Sequence, residues 1–354
     1  MNKLDIIQFG LRGMLLPFKI NHLYGPLEIR SDADAVIVIS VMRNSEAWLK
    51  PFLIHHRKLG VRHFVILDNG STDGSVQVLL QQPDVTLLQT HAPYHAYENT
   101  MKRYLAERFC TGRWCLCVDA DEQFDFPGSA RIGLESLIHY LRDHDFNAVV
   151  TQMLDMFSNR PVSEAQIDRD GELRLQYPFY DLSDIVKTPY GIGEVSNAAI
   201  KMHHGGIRKA VFGTNNGLSK VSLFLMDGTI RPFAWWHHVL HARLADISCV
   251  LLHFPFVDTF GAKVTEAVNS GRYGYLTTDE YVSYLGGFQQ QPQLTLKRES
   301  ARKLETVDEL LDNGFLVDST NYRRWLTDHA SREAAAAGKS PVGQPRGDCF
   351  LEAE

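Results

Sequence analysis

Long apolar runs and a disulfide framework are both missing from this sequence. No uninterrupted hydrophobic stretch approaches the length that spans a bilayer, and no signal peptide is visible. The 354 residues contain only five cysteines, an odd number that argues against a framework of paired disulfides. We therefore predict a cytoplasmic protein whose thiols are reduced and buried.

An excess of positive charge is missing as well. The formal net charge is −6, which argues against a nucleic-acid partner because such a partner requires a basic face. Hydrophobic residues make up 44% of the chain and charged residues 22%, which is ordinary for a globular protein. The length allows one large domain or two.

The first segment, residues 1–34, is amphipathic. Its apolar residues fall on one helical stripe with basic residues around it, namely Leu4, Ile7, Leu11, Met14, Leu15 and Phe18 with Lys3, Arg12 and Lys19. Gly10 and Gly13 weaken any free helix, so the pattern favours a helix packed on the body of the protein. The alternative is an interfacial helix that makes peripheral contact with the inner face of a membrane.

Residues 35–125 alternate between short apolar runs and helical patterns. The predicted strands are 35–41, 63–67, 85–89 and a strand that ends at residue 119, and the predicted helices are 46–59, 75–82 and about 98–109. This alternation predicts an α/β fold with a doubly wound, mostly parallel sheet flanked by helices.

Three acids follow the last of these strands within four residues, at the end of the run from Arg113 to Glu122. If the extended geometry continues, Asp119 and Asp121 point the same way, because a strand has a period of two. Two adjacent carboxylates repel each other unless a cation lies between them, and Mg²⁺ fits because it takes one or two carboxylates. The alternative is a solvated strand end or a cap for the next helix.

Polar clusters also follow the first and second strands, over residues 43–46 and 68–73. Ligands of doubly wound sheets bind outside the carboxyl ends of the strands, so the three clusters together predict one binding site. Asp68 stands at a strand tip, where its carboxylate could accept from a nucleoside base or a ribose hydroxyl. Taken alone, the segment from Asp68 to Ser71 is also typical of a turn.

These residues resemble glycosyltransferase family 2. The resemblance covers about residues 35 to 125 and rests on the runs Val38–Glu46, Phe52–His56, Leu59–Val61, Leu67–Asp73 and Trp114–Glu122. The metal motif Asp-Ala-Asp-Glu indicates one subgroup, and a looser similarity continues through Gly205–Arg208, Leu218–Lys220, Leu251–Phe254, Phe260 and Lys263. The resemblance implies a GT-A catalytic domain and an inverting sugar transfer from a nucleotide-diphospho-sugar, with a UDP-sugar favoured, to a glycan or other hydroxyl acceptor.

The resemblance also implies site residues. The candidate ligands of the nucleotide sugar are Val41, Arg43, Glu46, Asp68, Asn69, Asn99, Arg103, Asp119, Ala120, Arg208, Lys220 and Lys263. The candidate ligands of a Mg²⁺ or Mn²⁺ ion are Asp119, Asp121 and His253. Ser45 departs from the family pattern, in which many relatives read Arg-Asn-Glu without a break, and it places Glu46 one position later.

The acceptor should be recognised by the second half of the domain. A strand over residues 147–154 leads to Asp155, and the polar region 158–198 predicts a solvated loop, with an acceptor lid as the alternative. The run from Trp235 to His238, with His241, is an aromatic and imidazole cluster for which we favour core packing over sugar stacking or zinc binding. The candidate catalytic bases are Asp155, Asp246 and Glu194.

The predicted domain organisation is a catalytic domain over 35–260, divided near residue 125 into a nucleotide-sugar half and an acceptor half. Helical patterns at 262–270, 278–285 and 300–312 predict a helical extension over 261–331, and residues 332–354 predict a disordered tail. Two other function classes stay open. A nucleotidyltransferase would show a Gly-rich basic loop after the first strand, and a non-catalytic nucleotide-sugar-binding module would tend to lose the paired acids.

Overall fold

The computed structural model of the chain describes residues 10–30, 32, 34–235, 238–273 and 275–336. Leu4 and Ile7 of the predicted stripe, Trp236 and His237 of the predicted aromatic cluster, and most of the predicted tail lie outside these residues. The predicted domain boundaries stay predictions.

The strands of the described chain are β1 (Ile20–Tyr24), β2 (Val36–Met42), β3 (His63–Asp68), β4 (Val85–Thr90), β5 (Trp114–Cys117), β6 (Glu122–Asp125), β7 (Ala148–Asp155), β8 (Phe179–Tyr180), β9 (Ile185–Ile192), β10 (Val195–Gly205), β11 (Ser219–Leu225), β12 (Arg231–Trp235), β13 (His238–Leu240), β14 (Leu244–His253) and β15 (Arg302–Lys303). The helices are α1 (Glu46–Leu59), α2 (Ser75–Leu79), α3 (Tyr94–Phe109), α4 (Leu134–Asp143), α5 (Leu173–Gln176), α6 (Ile207–Phe212), α7 (Phe260–Ser270), α8 (Tyr275–Gln290), α9 (Glu309–Asp312) and α10 (Thr320–Ala336). Residues 10–15 are also helical.

Nine strands form one central sheet in the order β1-β4-β3-β2-β5-β11-β7-β14-β6. The strands from β4 to β5 in this order run parallel to one another. All residues of β2 and β3 are buried, as expected for parallel strands covered by helices on both faces. The predicted α/β fold is confirmed, and helix α1 has the predicted bounds because Gly60, in a left-handed conformation, ends it.

The second half of the sheet is mixed. Strand β11 runs antiparallel to both β5 and β7, whereas β14 runs parallel to β7 and antiparallel to β6. In this register His253, at the end of β14, lies opposite Asp155 of β7 on one side and Glu122 of β6 on the other. Three chemically active side chains therefore meet at one edge of the sheet, although they are far apart in sequence.

Two segments differ from their predicted structure. The region 158–198 contains α5, β8, β9 and the start of β10, and β9 pairs with β10 as a two-stranded hairpin rather than forming a solvated loop. The residues of β9 are mostly exposed, so the strand lacks the alternation that identifies strands in a sequence. The predicted helix over 300–312 is wrong for most of its length, because Arg302 and Lys303 pair with β8 and only α9 is helical.

The N-terminal stripe is exposed rather than packed, which corrects the favoured prediction. Leu11, Met14, Leu15 and Phe18 are 49%, 64%, 51% and 89% exposed, and the buried residue of this segment is Leu16. None of the helices in the described part of the chain is long and apolar enough to cross a membrane.

The cysteines that the structure describes, Cys110, Cys115, Cys117 and Cys249, are free and buried, which agrees with the prediction of reduced, buried thiols. Cys115 and Cys117 pack into the same core cluster, because residues two apart on a strand face the same side.

Two consecutive histidines of α1 hold strand β6 through the backbone of Phe124. His55 Nε2 donates to the Phe124 carbonyl oxygen at 2.7 Å, and the Phe124 N–H donates to His56 Nε2 at 3.3 Å. His56 Nδ1 donates to the Phe52 carbonyl oxygen at 2.9 Å, which fixes the neutral tautomer of this ring. The pair therefore anchors the strand that begins directly after Asp121.

Mild acid is expected to destabilise the protein. Burial lowers the pKa of His203 from 6.5 to about 3 and that of His238 to about 4, and it holds the pKa of His56 well below its usual range. Below about pH 6.5 the unfolded chain protonates these rings whereas the folded chain does not, so stability is complete above that pH and falls by about 1.4 kcal/mol per pH unit for each ring as the pH drops toward 4. Urea unfolding at about pH 7 and about pH 5 measures the loss. Equal stability at the two pH values would contradict the burial of neutral rings.

Candidate active site

A cavity of about 1460 Å³ opens at the carboxyl ends of β2, β5, β7 and β14, and α7 and α8 close one side of it. This is the position that the polar clusters after the strands predict. Residues far apart in sequence meet there. Of the predicted site residues, the cavity is lined by Val41, Arg43, Glu46, Asn99, Asp119, Ala120, Asp121, Arg208, Lys220, His253 and Lys263.

The three acids lie on a tight corner rather than on a strand. Strand β5 ends at Cys117, the Glu122 N–H donates to the Asp119 carbonyl at 3.0 Å, and the Asp119 N–H donates to Glu122 Oε2 at 2.9 Å. The chain therefore turns between Asp119 and Glu122, so the condition under which Asp119 and Asp121 would point the same way, a continuing strand, is not met. Each aspartate instead has its own set of cations.

Asp119 is neutralised by two buried lysines. Lys102 Nζ lies 3.3 Å from Asp119 Oδ1, and Lys220 Nζ lies 3.3 Å from Asp119 Oδ2. Lys220 also pairs with Glu122, which is 1% exposed. Burial alone would lower the pKa of Lys102, but the charges of Asp119 and Glu98 outweigh it and raise this pKa well above its usual range. Both lysines are therefore charged and hold the acidic corner in place.

Asp121 faces a different pair of groups. Its Oδ2 lies 3.4 Å from Lys263 Nζ and 3.6 Å from His253 Nε2. Burial by itself raises the pKa of Asp121, yet Lys263 and His253 lower it well below its usual range. The side chain of Lys263 is 36% exposed, so this ammonium group is within reach of a ligand in the cavity.

His253 bridges Asp121 and Asp155. Its Nδ1 lies 2.6 Å from Asp155 Oδ1, and Asp155 also accepts two hydrogen bonds from the Arg208 guanidinium at 2.8 and 2.9 Å. Burial lowers the pKa of His253, but the two carboxylates raise it to about 8. Burial raises the pKa of Asp155, but Arg208 and His253 lower it to about 2. Asp155 is thus fully engaged, which favours a positioning role over that of a catalytic base.

The other two candidate bases lie elsewhere. Asp246 is near the start of β14, seven residues from His253 and therefore roughly 23 Å along the strand. It accepts hydrogen bonds from Tyr140 and Ser319. Glu194 lies between β9 and β10, is half exposed and pairs with His241 at 3.1 Å. The structure does not bring either carboxylate to the acidic corner, which corrects these two assignments.

Asp68 is hydrogen-bonded to the backbone of its own turn, and Asn69 is hydrogen-bonded to Arg272. Asp68 is 1% exposed, and its carboxylate accepts from the N–H groups of Gly70 and Ser71 and from Gln89, a turn-forming arrangement. Asn69 accepts a hydrogen bond from Arg272 at 2.9 Å, and Arg272 lines the cavity. Arg103 lies on α3 and pairs weakly with Glu107 at 3.9 Å.

The predicted aromatic and imidazole cluster is divided in the described residues. His238 Nδ1 lies 3.0 Å from the Tyr190 hydroxyl, whereas His241 pairs with Glu194. The two rings thus have separate partners, and within the described part of the chain no group of three or more His, Cys, Asp or Glu side chains is arranged to hold a metal ion.

Sequence reasoning missed Lys102 and an aromatic group around Arg272. The Arg272 guanidinium lies 5.2 Å from the ring centroid of Tyr94, and the rings of Tyr273 and Tyr281 stack at 4.8 Å with an interplanar angle of 17°. All three tyrosines line the cavity. The only sign in the sequence that Lys102 is buried was its position beside the apolar Met101 and Leu105 of a helix, four residues after Glu98. Nothing in the sequence indicated that the tyrosines lie together.

Of the three predicted metal ligands, Asp121 and His253 are the two that could hold a divalent cation. Each carboxylate oxygen of Asp119 is paired with a lysine. Asp121 and His253 instead lie side by side in the cavity wall, with Nε2 of the imidazole toward Asp121 and Nδ1 toward Asp155. A carboxylate that accepts from the far nitrogen of a metal-binding histidine is the usual outer partner of such a ligand. An imidazole beside a carboxylate suits Mn²⁺ better than Mg²⁺.

Solved structures that resemble this chain share little sequence with it. They include S. aureus TarS 1-349 (12% identity, 72% of this chain and 70% of that chain, TM-score 0.32) and the UTP-bound UGPase from Acinetobacter baumannii (8%, 71% and 82%, 0.25). A third is the mannosyltransferase PcManGT from Pyrobaculum calidifontis in complex with GDP-Man and Mn²⁺ (14%, 94% and 93%, 0.28). These TM-scores are too low for the likenesses to carry an argument about this chain. No curated protein sequence matches the chain significantly.

The family comparison is more informative. Residues 37–196 match the family described as Glycosyl transferase family 2. The matched span includes β2 to β5 and the acidic corner, which are the residues that carried the resemblance in the sequence, and the mixed α/β sheet is consistent with the GT-A fold. The part of the chain that runs from residue 37 to residue 196 is thus similar to glycosyltransferase family 2.

Proposed function

We propose that this protein is a glycosyltransferase that transfers a sugar, with inversion, from a nucleotide-diphospho-sugar to a hydroxyl acceptor, and that Mn²⁺ is its preferred metal. The observation that carries the proposal is the row formed by Asp121, His253 and Asp155. These residues lie at the adjacent ends of β6, β14 and β7, beside a cavity of about 1460 Å³ that is large enough for a nucleotide sugar. We keep a UDP-sugar as the favoured donor and Mg²⁺ as the alternative metal.

The chain's own residues would hold the donor diphosphate against this row. Lys263 is the exposed cation at Asp121, and its Nζ can turn to a phosphate oxygen without leaving the cavity. Lys220 and Lys102 keep Asp119 neutralised, so the backbone of the acidic corner stays fixed when the ligand arrives. A bound divalent cation would supply positive charge to the departing nucleoside diphosphate.

The acceptor in this proposal is a hydroxyl of a glycan. The stacked rings of Tyr273 and Tyr281 line the cavity, and aromatic faces pack well on the apolar faces of sugar rings. The proposal retains the predicted cytoplasmic location, and it includes a role in surface glycan or polysaccharide synthesis.

A screen of nucleotide sugars tests the function. The protein is incubated with UDP-, GDP-, ADP- and dTDP-sugars and Mn²⁺ or Mg²⁺, and the released nucleoside diphosphate is measured. We expect turnover of one nucleotide class, faster with Mn²⁺, and a loss of about a hundredfold or more when EDTA is added. NMR of the transferred sugar gives its anomeric configuration. Turnover that EDTA leaves unchanged would remove the metal from the proposal, and retention at the anomeric carbon would remove inversion.

A further inference from the structure

Exposed apolar side chains are concentrated near the N-terminus of the described chain. Six of its eleven exposed large hydrophobic residues lie between residues 11 and 27. Four of them form what we call the N-terminal apolar surface, namely Leu11, Met14, Leu15 and Phe18. The spacing of these four is that of one face of a helix, and Phe18 is 89% exposed.

The buried side chain of Leu16 fixes the orientation of this surface. Leu16 is fully buried in a core cluster beside strands β2 and β3, and the turn that contains it, Leu16–Lys19, leads directly into the edge strand β1. Because Leu16 points inward, Leu15 and Phe18 on either side of it are directed away from the core. Their exposure is therefore a property of the packed structure.

We propose that the N-terminal apolar surface docks on an anionic lipid bilayer. Between Gly10 and Leu27 the sequence contains Arg12 and Lys19 but no aspartate or glutamate. The first thirty residues carry four basic and two acidic side chains, a charge of +2, whereas the whole chain carries −6. Arg12 is turned to the Ala96 carbonyl, so the exposed Lys19 is the basic residue that borders the surface. An apolar face bordered by a lysine, in the positively charged segment of an otherwise acidic protein, matches the two attractions of an anionic bilayer, burial of apolar groups and attraction to headgroups.

A second copy of the chain is a poorer occupant. At about 200 Å² for a large side chain, the four residues offer roughly 500 Å², or about 1,000 Å² from two copies, which is below the range of about 1,200–2,000 Å² for stable interfaces. A two-fold contact would also bring the positive charges of this segment together.

The surface adjoins the cavity through Arg12. The Arg12 guanidinium lines the cavity and donates to the Ala96 carbonyl at 2.8 Å, although Arg12 lies between Leu11 and Met14 in the chain. Docking would therefore bring one side of the cavity close to the bilayer. If the proposed sugar transfer holds, a lipid-borne hydroxyl becomes an accessible acceptor, but the docking itself does not depend on that function.

Vesicle sedimentation with the full chain tests the proposal. We expect the wild type to pellet with phosphatidylcholine vesicles that contain phosphatidylglycerol, and Phe18→Ser to weaken this partition by at least about tenfold. Lys19→Gln should weaken it roughly fivefold on the anionic vesicles and much less on pure phosphatidylcholine. The matched control is Leu175→Ser, which removes an exposed apolar side chain elsewhere in the chain, and this variant should partition as the wild type does. Leu175 is 70% exposed.

Three results would overturn the proposal. The wild type could stay in solution with both kinds of vesicle, or Leu175→Ser could weaken partition as much as Phe18→Ser. Light scattering could also show a wild-type dimer that Phe18→Ser dissociates, which would assign the surface to a contact between two copies. None of these readouts involves sugar transfer, so a failure here is distinct from a failure of the proposed function.

Discussion

Replacing Asp121 with asparagine is expected to lower sugar transfer about a hundredfold or more and to leave the fold intact. The substitution keeps the size of the side chain but removes the charge that faces Lys263 and His253 in the cavity. Binding of the donor should also stop depending on Mn²⁺, because one of the two groups that fit the metal has lost its charge. Turnover assays and calorimetry with the nucleoside diphosphate, with and without Mn²⁺, measure the two effects.

The same variant should lose stability in the absence of metal. If the two carboxylates only repelled each other, removing one charge would relieve the repulsion and stability would rise. In the structure Asp121 is instead surrounded by cations, so Asp121→Asn leaves Lys263 and His253 short of a counter-charge, at a cost of about 1–3 kcal/mol. Urea unfolding in EDTA measures this cost.

Asp170→Asn is the matched control for both readouts. Asp170 pairs with Lys50 at the surface and is 77% exposed, so the loss of its charge should change neither transfer nor stability by a measurable amount. An Asp121→Asn protein with wild-type turnover would remove Asp121 from the active site, and a gain in its stability would show that the neighbouring cations do not neutralise it.

Replacing Arg208 with methionine is expected to destabilise the protein by about 3–5 kcal/mol. The guanidinium is 9% exposed, binds both oxygens of Asp155, and lies 3.3 Å from Glu280. Methionine fills much of the volume but leaves the buried Asp155 and the partly buried Glu280 without their shared cation. Urea unfolding of the variant and the wild type at neutral pH measures the loss.

Two further variants separate charge from geometry. Arg208→Lys keeps the charge but cannot make the two-pronged contact with Asp155, so its stability should lie between those of the wild type and Arg208→Met. The matched control is Arg169→Met, because Arg169 is 50% exposed and pairs with Glu46 at the surface, where a pair contributes at most about 1 kcal/mol. If Arg208→Met were as stable as Arg169→Met, the buried network would not have the structure described.

The sequence predicted the first half of the fold well because its signals are local there. Strands β2 to β4 are short apolar runs and lie within one or two residues of their predicted bounds. Helix α1 is flanked by a polar turn and a glycine, and its bounds are those predicted. The exception is the end of β5, where nothing local showed that the chain turns after Cys117.

The site could be predicted only in part, because its partners come from distant segments. The acids were visible as a motif, but the cations that neutralise them come from α3, β11 and α7, between 17 and 142 residues away along the chain. The contact of His253 with Asp155 depends on the register between β14 and β7, which no periodicity reports. The sequence left the role of Asp68 open, because a strand-tip acid looks the same whether it binds a ligand or closes a turn; in the structure its carboxylate accepts from the N–H groups of Gly70 and Ser71.

The helix predicted over residues 300–312 was wrong for a related reason. Leu304, Val307 and Leu310 are all buried, as the helical spacing predicted. The backbone is not helical before α9, because the Leu304 N–H donates to the Pro178 carbonyl and the two preceding residues pair with β8. Tertiary hydrogen bonds can thus override a pattern that correctly identifies which side chains face the core.

The neutralised acidic corner has a kinetic consequence. The network contains six carboxylates and five cations, a formal charge of −1: Asp119, Asp121, Glu122, Asp155, Glu280 and Glu98 face Lys102, Lys220, Lys263, Arg208 and a protonated His253. A network whose charges cancel to −1 exerts no long-range attraction on an anionic ligand, so encounter with this part of the cavity proceeds by ordinary diffusion rather than by electrostatic steering. In the proposed reaction, recognition of the donor then begins only at contact distance, where Lys263 exchanges its partner Asp121 for a phosphate oxygen.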